Sequence, residues 1–286
     1  MCVPGRCAAK KSAGASARPR GRVGEATANG LRPRERRVTD RRAERGDGAD
    51  EPTDPDGVAL IAHRGCAGQF PENTVAAIER VAPHVDAVEV DVRRCASGEL
   101  VVFHDAELDR LTGATGRVED ADWEGLRGLT VLDSGEPIPR LGEALAAVPD
   151  GTAVNVELKT PEVAADALNA VREAGTDALF SSFLPSELAR LRDLDPATDR
   201  ALLVTDGPRE RAVDAATELG CVAVHPPIDV ATGARFVERA HEAGLAVNAW
   251  TASDREDAER LLAAGVDGII ADRWDLLSEA DSSSRS

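Results

Sequence analysis

Nine short apolar runs follow one another from Val58 onward, and their rhythm restricts the folds open to the chain more than any other feature. They are residues 58–63, 87–92, 100–105, 153–158, 178–183, 201–206, 221–226, 245–250 and 266–272. Between most of them lie Ala/Leu/Glu/Arg stretches with apolar residues at helical spacing, such as Leu188, Leu191 and Leu194, or Ala258, Leu261 and Leu262. Strands alternating with helices imply an α/β fold, a parallel sheet covered by helices. Nine strands are one more than an eight-stranded barrel holds. Only RRCASGE, residues 93–99, separates the second run from the third. A parallel crossover needs a dozen residues or more, so this link predicts an antiparallel hairpin. The remaining eight runs predict a TIM-type (β/α)₈ barrel, and residues 58–278 approach the roughly 250 typical of that fold. The hairpin centre near Ser97 predicts that Glu89 and His104 lie opposite each other.

Charge divides the chain differently. Of its 286 residues, the first 56 carry 13 Lys/Arg and 9 Asp/Glu, a net of +4. The other 230 carry 21 basic and 42 acidic residues, a net of -21. Residues 1–56 show neither strand nor helix periodicity. They read as a disordered basic tail unable to offset its ordering entropy, with the rival reading of a basic arm for nucleic acid or anionic lipid. The barrel domain is expected over 57–280, with a second disordered tail at 281–286. A domain this acidic repels duplex nucleic acid, and with 3% aromatics and no Tyr it lacks stacking platforms for single strands. Lysine occurs only as Lys10, Lys11 and Lys159. An acidic, Arg-for-Lys composition fits a halophile-like surface or a GC-rich genome. The five cysteines, Cys2, Cys7, Cys66, Cys95 and Cys221, suggest neither a disulfide framework nor a four-ligand zinc site. No stretch is apolar for long enough to insert stably in a membrane, and the Arg-rich start, with RERR at 34–37, lacks the apolar segment of a signal peptide. The expected location is cytoplasmic.

Polar groups gather at the strand ends, where a TIM barrel keeps its reactive groups. The first run ends in His63-Arg64-Gly65. The second carries Glu89 and Asp91, two apart and so on one face. The hairpin returns with His104-Asp105, and the next parallel strand carries Asn155, Glu157 and Lys159, again two apart. Three carboxylates on one rim repel each other unless a cation lies between them. An all-oxygen set favours Mg²⁺ or Ca²⁺ over zinc. Salt bridges to Arg93, Arg94 or Lys159 are the alternative way to satisfy Glu89 and Asp91. Glu72-Asn73-Thr74 fits a helix start capped by Asn73, with Glu72 near the rim. Asp105 can orient His104 or bond within the hairpin end. Trp250, at a strand end, is read as a wall of the substrate pocket. His225 ends a strand before Pro226-Pro227, His241 lies in a helical stretch and reads as surface, and Cys66 reads as a small packing residue.

The segments HRGCAGQFPENTVAAI (63–78), EVDVRRCASGELVVFHDAELDRLT (89–112), NVELK (155–159), SSF (181–183), NAWT (248–251) and DGIIADR (267–273) occur in this order along residues 58–278. In them the chain resembles the glycerophosphodiester phosphodiesterase family, within the phospholipase C-like phosphodiesterases. The resemblance implies a barrel with an inserted segment after the hairpin, one divalent cation and two histidines. It implies metal ligands Glu89, Asp91 and Glu157, an acid/base pair His63 and His104, and phosphate contacts from Arg64 and Lys159. The implied activity is metal-dependent hydrolysis of a small glycerophosphodiester to glycerol phosphate and an alcohol. Cys95, Arg140 and Trp274 stand where the family often has Thr, Thr and Pro, which bears on substrate preference rather than on the chemistry. Two rival readings remain open: a phospholipase C or D acting on intact lipid, which an exposed apolar rim would favour, and a phosphate-binding barrel without turnover.

Overall fold

The computed structural model of this chain describes residues 57–205 and 209–277. The expected tails at 1–56 and 281–286, with Cys2 and Cys7, lie outside the described residues. Strands run in the order β1 (Ala59–Ala62), β2 (Ala87–Arg94), β3 (Leu100–Val102), β4 (Ala153–Leu158), β5 (Ala178–Ser182), β6 (Asp199–Leu203), β7 (Ala223–His225), β8 (Ala246–Ala252) and β9 (Gly268–Ala271). All except β3 pair in parallel, and β1 pairs with both β2 and β9, which closes an eight-stranded barrel. β3 is the extra, antiparallel strand on the end of β2.

Its register corrects one expectation. Val92 faces Val102 and Arg94 faces Leu100, and the ladder ends when Phe103 N–H donates to the Asp91 carbonyl. Extended in that register, His104 would oppose Val90, one residue from Glu89. His104 therefore reaches the rim from a chain already leaving the sheet.

The strand sequences explain both faces of the barrel. Along β2, Val88, Val90 and Val92 point outward into the large core shared with the helices, whereas Glu89 and Asp91 point inward. Inside, Ile61, Ala87, Ala153 and Ile270 form a cluster made only of strand residues, and Leu179, Ala201 and Ala223 form another. Helices bury the outer face with ordinary stripes. In α4 (Ala164–Ala174) the buried residues are Ala164, Ala167, Leu168 and Val171, and the helix ends on Gly175 at φ 70. In α5 (Pro185–Leu194), Leu188 and Leu191 are fully buried, and truncating either to Ala would cost about 2–5 kcal/mol.

Between β3 and β4 the chain leaves the barrel. This segment, which carries α2 (Trp123–Leu126), joins Cys95 and Val101 of the hairpin in a core of nine buried residues, separate from the main one. It returns through α3 (Leu141–Ala146), the crossover helix before β4.

Candidate active site

The site begins where β1 stops. His63, Arg64 and Gly65 form one 3-10 turn, with Arg64 at φ 51 and Gly65 at φ 74. A side chain at Gly65 would bring a Cβ within 2.9 Å of Ala77 Cβ, so glycine is required both by conformation and by space. The turn aims the Arg64 N–H at Glu89, with N to Oε2 at 2.7 Å. Arg64, a non-glycine residue in the left-handed region, thus holds a strained backbone beside the carboxylates.

Helix α1 (Val75–Val81) follows. Its N-cap is Thr74, whose hydroxyl accepts from Ala77 N–H at 3.2 Å, not Asn73 as the sequence suggested. Asn73 instead sits at φ 59 and sends its side chain to Asp91: Nδ2 donates to Oδ2 at 2.8 Å, and Asp91 N–H donates back to Oδ1 at 3.2 Å. Either residue can cap a helix, so the run did not reveal which would be diverted to the site.

Glu89, Asp91 and Glu157 converge. One carboxylate oxygen from each lies within 4.8 Å of those of the other two, and all three residues are buried. Register brings them together, since Asp91 pairs with Glu157 and Glu89 with Asn155 across the β2–β4 ladder. Glu89 Oε1 and Asp91 Oδ1 are buried without a hydrogen-bond partner. Arg64 Nε stands 3.3 Å from Asp91, and Lys159 Nζ stands 2.6 Å from Glu157 and 3.4 Å from Asp91. The salt-bridge alternative is thus present in part, through Lys159 and Arg64 rather than Arg93 or Arg94. Two cations facing three carboxylates still leave one negative charge, with Glu89 Oε1 unpartnered and Asp91 Oδ1 met only by Lys159 at ion-pair distance.

The electrostatics agree. Burial, then the Asp91 and Glu157 charges, push Glu89 well above the ordinary carboxylate range. Burial, with Asp91 next to it, raises Glu157 to about 7. Burial also acts against Asp91, but Lys159, His104 and Arg64 outweigh it and bring that carboxyl to about 2. A span within 4.8 Å is what two oxygens on opposite sides of one Ca²⁺ have, at bonds of about 2.3–2.6 Å, and a slight contraction brings it to the roughly 4.2 Å of Mg²⁺. The donor set therefore fits one divalent metal ion.

Both histidines face the same cavity of about 270 Å³, which Arg64, Glu89, Glu157 and Lys159 also line. Each ring is held through Nδ1 by a carboxylate: His63 by Asp272 at 2.7 Å, His104 by Asp105 at 2.6 Å. This arrangement keeps the proton on Nδ1 and leaves Nε2 as the ring's acceptor. Burial lowers the His104 pKa, aided by Lys159 and Arg64 and opposed by Asp91 and Asp105. Asp272 follows β9 directly, 209 positions from His63 in sequence, and sequence reasoning missed it.

The far wall of the cavity is apolar. Phe183 meets Trp250 edge-on at 5.8 Å, and the Trp250 indole N–H donates to the His225 carbonyl at 2.8 Å. Glu72 lies beside the cavity rather than in its lining: its two oxygens accept from Arg64 and Arg110. His225 does not reach the lining either. It is fully buried in the barrel, with Nε2 3.0 Å from Asn248 Nδ2. His241 is half-buried and paired with Asp267 at 2.7 Å. Cys66 is buried beside the turn, and burial pushes its thiol up to about 12, which rules out a thiolate nucleophile near neutral pH.

Residues 63–276 match the profile of the glycerophosphoryl diester phosphodiesterase family. A glycerophosphodiester phosphodiesterase of Caldanaerobacter subterraneus subsp. tengcongensis is 32% identical over 228 residues, 74% of this chain and 93% of the relative. A phosphodiesterase of Oleispira antarctica, solved with the product sn-glycerol-3-phosphate, superposes with a TM-score of 0.67 at 30% identity, covering 75% of this chain and 92% of the other. The glycerophosphodiester phosphodiesterase of Thermotoga maritima gives a TM-score of 0.67 at 27% identity, over 77% and 96% of the two chains. With the barrel, the acidic cluster and the paired histidines in one cavity, these matches make the chain a member of the glycerophosphoryl diester phosphodiesterase family.

Proposed function

We propose that this chain hydrolyses small glycerophosphodiesters to glycerol phosphate and an alcohol, with His63 and His104 sharing the proton transfers across the reacting phosphorus. The observation that carries the reading is the cavity itself: two carboxylate-held histidines beside three buried carboxylates that fit one divalent ion. Glu89, Asp91 and Glu157 would hold that ion, Mg²⁺ or Ca²⁺ by their oxygen-only chemistry. When bound, it supplies fixed positive charge opposite the phosphoryl oxygens.

The chain's own groups account for the remaining work. Arg64 and Lys159 meet the non-bridging oxygens, where negative charge grows as the nucleophile adds. One histidine accepts the proton of the attacking oxygen, from water or from the substrate's own glycerol hydroxyl. The other donates a proton to the departing alcohol as the phosphorus–oxygen bond breaks. Asp272 and Asp105 hold the Nδ1–H of each ring, so that Nε2 is the atom that takes up the proton on one histidine and, on the other as imidazolium, releases it. The Phe183–Trp250 wall would shield the reacting bond from bulk water.

A headgroup diester is favoured over intact lipid by size and surface. A cavity of about 270 Å³ lies at the small end of ligand sites. Of the three large apolar side chains exposed among the described residues, Leu132, Phe183 and Leu194, only Phe183 borders it. No described helix is long and apolar enough to cross a membrane. The test is a panel of glycerophosphodiesters and lysophospholipids assayed with Mg²⁺, with Ca²⁺ and with EDTA. Turnover of the soluble diesters that EDTA abolishes is expected. Turnover that survives exhaustive chelation, or occurs only on lipid, refutes the reading.

A further inference from the structure

His104 and Arg64 are joined by a chain of charged groups that runs outside the barrel. His104 Nδ1 meets Asp105 Oδ1 at 2.6 Å. Arg110 grips Asp105 with Nε at 2.5 Å and Nη2 at 3.1 Å, one contact to each oxygen. The same guanidinium grips Glu72, with Nη1 at 2.8 Å and Nη2 at 2.9 Å, again one to each oxygen. Glu72 Oε1 also accepts from Arg64 Nη1 at 2.9 Å. Arg110 is the centre of this chain and comes from the segment with its own core. Leu108 and Leu111, on either side of it, are buried in that core.

The geometry has a mechanical meaning. Asp105 adjoins His104 on a chain that has left the β2–β3 ladder. The His104 carbonyl accepts from Arg93 Nε at 2.8 Å and the Ala106 carbonyl from Val118 N–H at 2.9 Å, but these backbone anchors do not fix where the Asp105 carboxylate points. Two forked grips on one planar guanidinium fix it. One end is set by Asp105 and the other by Glu72, a buried carboxylate at 6% exposure next to the HRG turn. A lysine ammonium has no planar fork and cannot reproduce both grips. We propose that Arg110 is a positioning residue for His104, holding the Asp105 carboxylate against Glu72 so that the imidazole keeps one orientation and one tautomer. This rests on the assignment of a proton transfer to His104. The competing reading is that Arg110 merely staples the outer segment to the barrel.

A double-mutant cycle separates the two. Arg110→Met keeps the aliphatic stem at a half-exposed position. Its kcat and KM for a soluble glycerophosphodiester would be measured in the wild-type and His104→Ala backgrounds, beside Tm and Mg²⁺ affinity by calorimetry. The expected result is a kcat loss of about tenfold to a hundredfold, the scale of a misplaced catalytic group. KM and Mg²⁺ affinity should barely move, and the loss should vanish when His104 is already Ala. Wild-type kcat in Arg110→Met, or losses that multiply fully in the double variant, overturn the proposal while leaving the His104 assignment intact. Wild-type turnover in His104→Ala alone removes that assignment and the proposal with it. Should Arg110→Met fail to fold, Arg110→Lys is read by the same cycle: a kcat loss absent from the His104→Ala background supports positioning, and wild-type kcat overturns it.

Discussion

His225 offers a sharp test of the barrel interior. The ring is fully buried, its Nδ1 has no partner, and Asn248 Nδ2 donates to its Nε2 at 3.0 Å. A proton on Nε2 would set a donor against a donor inside the barrel. Burial accordingly pushes the imidazole down to about 3. In the unfolded chain it titrates near 6.5. Because the folded value is the lower one, the unfolded state takes up the proton first. The stability is therefore complete above about pH 6.5 and drains away as pH falls towards 3. Between pH 7 and pH 5 the group should cost the fold about 2 kcal/mol, a large share of the 5–15 kcal/mol of a typical domain. His225→Gln keeps an acceptor for Asn248 and removes the titration. Urea unfolding of both proteins, followed by tryptophan fluorescence in metal-free buffer at the two pH values, measures the difference. The wild type should lose about 2 kcal/mol more than the variant over this interval. Equal losses in the two proteins would refute the reasoning.

Three further outcomes are expected. Burial and neighbouring carboxylates raise Glu157 to about 7 and Glu89 well above its usual range, so Mg²⁺ must displace protons at pH 6; affinity should fall below pH 7 by about tenfold per pH unit for each proton displaced, and pH-independent affinity between pH 6 and 8 would contradict this. His63→Ala and His104→Ala should each lower turnover of the natural diester by roughly 10²–10⁴ with metal binding retained, and the loss on an aryl diester should be smaller for whichever histidine is the acid. A chain shortened to begin at Asp56 should unfold cooperatively and keep its activity, and a broad, non-cooperative transition in urea would count against assigning residues 1–56 no part in the fold.

What could be read ahead of the structure was whatever repeats locally. AVEVDV carries both its strand and its site, because the alternation separates outward valines from inward acids. RRCASGE betrays the hairpin by being too short for anything else. The paired spacing of Glu157 and Lys159 likewise puts both on one face. Contacts between distant elements left no such mark. Asp272 reaches His63 only because barrel closure sets β9 beside β1. Arg110 reaches Asp105 and Glu72 from a segment with no periodicity to place it. The diversion of Asn73 from capping to Asp91 depends on the close packing of the HRG turn on α1, a matter of ångströms rather than of residue type. His225 fell below the cavity because depth within a barrel depends on the stagger of neighbouring strands, which no single strand encodes.

The separate core between Cys95 and Ile138 gives the outer segment a physical independence that the barrel strands lack. The carboxylates, Arg64 and Lys159 belong to elements whose loss would open the main core, whereas His104 hangs on the edge of the smaller one. On the proposed roles, drift in that small core would reach His104 and, through Arg110 and Glu72, Arg64, before it disturbed the three carboxylates. Substitutions confined to residues 103–140 would therefore act on His104 first and on the three carboxylates last.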